Sequence, residues 1–211
     1  MLPMTALYRI DSTSADIARA FNARAGEDPW AGGEIAPGGF APVVTAGRDF
    51  IAGPRPAGKP LMARIVPRLW GVPPPGPPAT DAGYGVLTVR NADSPFWIGN
   101  LRNAEFRCLV PATAFLVSGK GRDRDGRRLR HWVGCADQPL FALAGVWKDS
   151  EVPSFALLTC PPNDVMQMAG RDAMPAILPP NPGARDFWLH GDWARASQLV
   201  RPYSSAMMTV R

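Results

Sequence analysis

The sequence predicts an α+β fold, and three observations carry that prediction. Short apolar runs that read as strands recur along the chain, a few brief segments carry helical spacing between them, and 24 prolines favour turns over long helices. At 211 residues the chain is long enough for one well-packed domain and short for two, so residues 1–211 are expected to form a single domain. A hydrophobic share of 46% excludes a wholly disordered chain.

Taken in order, Leu7-Tyr8-Arg9-Ile10 reads as a short strand. Residues 12–25 follow as an amphipathic helix with Ser14 as its N-cap and Ile17, Ala20 and Phe21 on one face. A turn and a strand ending on Val43-Val44 occupy residues 32–44, and a Pro/Gly loop residues 53–60. Residues 61–70 alternate toward Trp70, and residues 73–78 make a stiff, polyproline-like loop. Residues 86–93 read as a strand and residues 96–102 as a short helix.

The centre of the chain is residues 106–118, FRCLVPATAFLVS. Its apolar run is broken at Pro111, which has no amide proton to give a central ladder, so the stretch predicts a buried strand, a tight turn there and a second short strand. Residues 119–130, GKGRDRDGRRLR, alternate in sign around glycines and predict a solvated hairpin tip. Strands are expected over residues 131–135 and 140–147. Helices over 184–189 and 193–199 and a strand over 207–210 complete the order.

The net charge of +5 is carried almost wholly by arginine, since Lys59, Lys120 and Lys148 are the only lysines. Guanidinium groups grip phosphate in bidentate fashion and stack on bases, which tilts the expectation toward an anionic partner. Cys108, Cys135 and Cys160 are widely spaced, and with His131 and His190 as the only histidines they predict reduced, buried thiols and no metal site. No apolar run approaches the length needed to cross a bilayer and residues 1–10 do not resemble a signal peptide, so a cytoplasmic location with no membrane partner is expected.

Several of these stretches also match one family. RCLVPA followed by a small residue and Phe115 resembles the central signature of the SRAP family, the SOS-response-associated peptidases that cap abasic sites in single-stranded DNA. The Ser/Thr-capped first helix, Ala36-Pro37, Trp70-Gly71 with Pro74, Ala144-Gly145-Val146-Trp147 and Met174-Pro175 resemble further landmarks of that family in the right order. The resemblance implies a mixed, mostly antiparallel, barrel-like sheet with short helices outside.

The resemblance also implies which chemistry is missing. The family signature continues G-F-Y-E-W with a catalytic Glu, whereas Val117 and Ser118 stand at the Glu and Trp positions. Placing Arg9-Ile10 on the family's R-F puts Leu7 at its nucleophilic cysteine, and counting from the first residue puts Leu2 there. Aligning Arg90 with the I-N-A-R segment puts Thr88 at the catalytic Asn, with Asn91 an odd slip away on the opposite face. With Met174-Pro175 fixed, Arg171 takes the place of the acid/base His and Ala173 that of an Arg. A Leu supplies no thiol to close a ring on a sugar aldehyde, and an Arg stays protonated and shuttles no proton.

Three functions follow from these residues. The first is a catalytically degenerate homologue, needing no cofactor, that binds single-stranded or abasic DNA noncovalently as a monomer through Arg9, Trp70, Arg90 and Arg171. Trp70 admits a core position as well. The second is a pseudoenzyme that binds a protein partner, with Glu34 placing negative charge beside the cleft. The third is an enzyme with a relocated nucleophile, Cys108 or Cys160. Both histidines are expected to be structural and away from the site.

Overall fold

The computed structural model describes residues 7–27, 29–47, 62–76 and 83–211. Leu2, the loop at 53–60 and the end of the 73–78 loop lie outside the described residues. The chain opens with β1 (Tyr8–Ile10), α1 (Ser14–Phe21), β2 (Gly33–Ile35), β3 (Phe40–Thr45) and β4 (Arg64–Trp70). The middle runs β5 (Thr88–Val89), α2 (Ile98–Arg102), β6 (Arg107–Ala112), β7 (Ala114–Arg122), β8 (Arg128–Cys135), β9 (Phe141–Lys148) and β10 (Ser154–Cys160). The last segment holds α3 (Asp164–Met168), β11 (Met174–Pro175), α4 (Pro182–His190), α5 (Trp193–Ala196) and β12 (Met208–Val210).

Helix α1 starts one residue earlier in its capping logic than expected. Thr13, not Ser14, is the N-cap: its hydroxyl accepts from the Asp16 N–H at 3.2 Å while the Asp16 carboxylate accepts from the Thr13 N–H at 3.1 Å. Ile17 and Phe21 face the core, and Asn22 in the left-handed region ends the helix well short of residue 25.

Strands β10, β4, β3, β6 and β9 follow one another and β9 pairs back onto β10, closing a five-stranded barrel. All its pairs are antiparallel except β4 with β10. A second, antiparallel sheet has the order β12-β8-β7-β1-β2. Its inner face meets the barrel through Tyr8 edge-on to Trp70 at 5.1 Å and Phe115 edge-on to Phe141 at 6.4 Å. The fold is therefore α+β, mostly antiparallel and barrel-like.

Pro111 does not break the central strand. It lies inside β6 opposite Ala142 of β9, and the chain turns two residues later at Thr113. The physical reason lies on the other side of the strand. The β3–β6 ladder covers only Val44 with Leu109 and Thr45 with Cys108. Two residues further along the same register Pro42 would stand opposite Pro111, where neither residue has an amide proton to exchange. Proline is tolerated because the ladder ends there. Residues 86–93 are likewise less regular than expected: two residues pair with β10, and Asn91 closes a turn by accepting from the Asp93 N–H at 3.0 Å.

The first residue of the central strand is a buried cation. Arg107 is fully buried and donates to the Leu101 carbonyl at 2.9 Å, the Trp188 carbonyl at 2.6 Å and the Gly191 carbonyl. These oxygens belong to the C-terminal turns of α2 and α4, where helix dipoles favour positive charge. Burial lowers its pKa to about 10, still leaving it charged at neutral pH. Replacing Arg107 with Met keeps the volume but strands three carbonyls, so urea unfolding of Arg107→Met is expected to lose about 3 kcal/mol or more.

Candidate functional site

The functional residues expected from the sequence do not converge on one groove. Tyr8 pairs with Phe115 and Arg9 with Ala114. Neighbours along a strand point to opposite faces, so Arg9 leaves the sheet on the face away from Phe115 and Val117. There it lies over the Trp132 ring at 4.7 Å and pairs with Asp11 at 3.1 Å. Glu34 sits opposite Arg9 in the β1–β2 register, so it borders this outer face and not the cleft containing Val117. Trp70 is fully buried with its indole N–H donated to the Leu87 carbonyl at 3.1 Å, which removes it from any surface interface. Leu7 lends its carbonyl to the Leu116 N–H. Thr88 pairs with Leu157 of β10.

Val117 and Arg171 do come together, on the other side of the sheet. Val117 is 2% exposed and forms part of a cavity of about 340 Å³ between the β7–β8 hairpin and α3, with Val133, Val165 and Met166. His131 pairs with Val117 in register and lines the same cavity. The sequence expectation placed both histidines away from the site; for His131 the cross-strand pairing overturns it. His190 remains at the end of α4, held by the Asp186 carboxylate at 3.0 Å.

A second compartment of about 250 Å³ adjoins the first, sharing Gly119, Lys120 and Ala169 with it. Its polar lining is Ser118, Lys120, Arg122, Arg128 and Arg171, with no carboxylate among the described residues that line it. The hairpin tip expected to be merely solvated therefore supplies three of its cations. Arg122 and Arg128 stand directly opposite across the hairpin, a like-charge pair that costs stability unless an anion lies between or beside them. Arg122 also donates to the Gly126 carbonyl, which shapes the tip.

The fourth cation is placed by a helix end. After α3 the Gly170 N–H bonds to the Gln167 carbonyl and the Arg171 N–H to the Met166 carbonyl, both at 2.8 Å, the paired bonds of a Schellman cap. Gly170 has φ +75, and a Cβ there would lie 2.6 Å from Lys120 Cε, so the alkyl chain of Lys120 crosses this turn against a bare backbone. Arg171 Nε is shielded from solvent and has no acceptor among the described residues. The next residue, Asp172, holds Arg90 through two bonds of 2.8 and 3.2 Å, and that pairing keeps the Asp172 carboxyl below the usual range. Arg90 is thus already engaged by a carboxylate, whereas Arg171 Nε has no acceptor among the described residues.

A family model for SOS response associated peptidase (SRAP) matches residues 4–211. The chain belongs to the SRAP family. Solved structures agree on the fold. A structural-genomics protein from Bacteroides thetaiotaomicron superimposes with a TM-score of 0.72 at 17% identity, covering 97% of this chain and 90% of that one. A protein from Bordetella bronchiseptica gives 0.71 at 19% identity, covering 97% of both chains. A phage-related protein from the same organism gives 0.69 at 17% identity, covering 98% of this chain and 92% of that one. No curated protein sequence matches this chain significantly. Identities this low carry the fold alone.

Among the described residues no group of three or more His, Cys, Asp or Glu is placed to hold a metal, and no helix is long and apolar enough to cross a membrane. All three cysteines are free and buried. Burial pushes the Cys135 and Cys160 thiols up to about 12 and Cys108 further still. Because burial keeps these thiols protonated where the unfolded chain would already release the proton, their contribution to stability is fully present below about pH 9 and is lost as pH rises toward 12. Native protein at pH 8 is expected to leave a chromogenic disulfide reagent unreacted over minutes, with all three thiols reacting at once in denaturant.

Proposed function

We propose that this SRAP-family protein binds single-stranded DNA noncovalently, holding backbone phosphate between Lys120, Arg122, Arg128 and Arg171. The observation that carries the reading is the concentration of four cations around one small cavity whose described lining holds no carboxylate. Phosphate relieves the repulsion between Arg122 and Arg128 and gives Arg171 Nε the acceptor it lacks among the described residues. The family match from residue 4 to 211 supports DNA as the source of that phosphate.

Covalent capture has little to work with in this cleft. Val117 offers no ionisable group, the guanidinium of Arg171 is no proton shuttle, and His131 alone closes no ring on an aldehyde. Cys108 and Cys160 are poor candidates for a relocated nucleophile, because burial holds both as thiols. A protein partner is the second reading, supported by the exposed apolar side chains Leu129, Met168 and Val210 at the rim of the cavity containing Val117. Glu34 lends that reading no support, since it lies on the outer face beside Arg9.

The phosphate reading is tested by anisotropy titrations of a labelled single strand at several salt concentrations. Arg171→Ala and Arg128→Ala should each weaken binding and reduce the slope of log K against log salt by about 0.7 for each phosphate no longer neutralised. Arg9→Ala, on the opposite face, should leave affinity and slope as they are. Equal slopes in all four proteins would place the phosphate elsewhere.

A further inference from the structure

The cavity next to the arginines is the feature that phosphate binding leaves unexplained. Its floor is Val117 and Met166, and its rim carries Leu129 at 39%, Met168 at 72% and Val210 at 51% exposure. Leu129 folds over the hairpin backbone, where a Cβ on Gly121 would meet its Cδ1 at 2.7 Å. Apolar groups of this size left open to water mark a surface awaiting a ligand. The ligand must be apolar on one side and anionic on the other, because Gly119, Lys120 and Ala169 line both compartments and place the cations directly alongside.

We propose that the apolar compartment receives the base of an intact nucleotide whose phosphate occupies the arginine compartment, so that the cleft prefers base-bearing single strands to abasic ones. The inference rests on the DNA reading above. A bare deoxyribose would set hydroxyls and an aldehyde against Val117 and Met166, which offer them no hydrogen bond, and would leave the rim wet. A base instead brings a planar π surface that aliphatic groups cover and that methionine sulfur contacts favourably. Its polar edge faces the open rim and His131, the one ring nitrogen donor or acceptor lining this cavity among the described residues. Thymine, with its methyl group, suits such a chamber best. The readout is shape and apolarity, which makes the binding tolerant of sequence.

Two strands of ten residues with the same phosphate charge test the proposal: decathymidylate and an all-tetrahydrofuran abasic strand. Anisotropy at low salt should show decathymidylate binding about tenfold more tightly or better. Met168→Ser, a change at an exposed position, should narrow that ratio severalfold. Equal or tighter binding of the abasic strand would overturn the inference while leaving phosphate binding intact, and an unchanged ratio in Met168→Ser would overturn the placement of the base. Neither strand binding would overturn the DNA reading as well and give the apolar rim to a polypeptide.

Discussion

Arg107 is the constraint on which the arrangement depends. A fully buried guanidinium is tolerated because three carbonyl oxygens at two helix ends surround it, with the negative charge of Asp192 favouring it as well. Each charge-assisted bond contributes about 1.5–3 kcal/mol, which offsets the several kcal/mol of taking the ion out of water. The neighbouring residue completes the clamp: the Trp188 indole N–H donates to the Cys108 carbonyl at 2.9 Å, and the Trp188 ring lies 5.8 Å from the Arg107 guanidinium. One dipeptide thereby ties α2, α4 and the barrel strand β6 into a single packed unit. The Arg of the family signature is a structural residue in this chain.

From that anchor the chain passes from one sheet to the other. β6 belongs to the barrel and β7 to the second sheet, with Thr113 between them. Thr113 fixes the crossing: its N–H and its hydroxyl both donate to the Arg9 carbonyl, and its hydroxyl oxygen accepts from the Asp11 N–H. This sets β7 in register with β1 and turns Phe115 and Val117 inward, toward the barrel and α3. The Schellman turn after α3 then brings Arg171 against the hairpin from the opposite side. The cleft is the product of two rigid pieces of backbone, and its charges come from residues more than forty positions apart.

Much of this was legible in the sequence and some was not, for physical reasons. Strand positions and the order of family landmarks could be read because apolar alternation and short motifs are local properties. The cap residue moved by one, since Thr13 and Ser14 are both competent and only the Asp16 contact decides between them. Pro111 was misleading because a proline is excluded from a ladder only on the side where a partner needs its amide, and that depends on a strand distant in sequence. Arg9, Arg90 and Arg171 looked alike as free cations. Which face each one leaves from, and whether a residue such as Asp172 already holds it, are facts of register and packing. His131 was hidden for the same reason: nothing in its neighbours names Val117 as its cross-strand partner. Trp70 could be read either as core or as surface, and the Leu87 carbonyl settles it as core.

The SRAP scaffold is present, and the proposed noncovalent hold on DNA is open to one decisive test. The most direct measurement incubates the protein with a single-stranded oligonucleotide bearing one abasic site and runs native and denaturing gels side by side at two salt concentrations. Noncovalent binding gives a shift on the native gel alone, weaker at the higher salt. A shifted band that survives denaturation would contradict it, because a covalent bond would then have formed in a cleft lined by Val117 and Arg171.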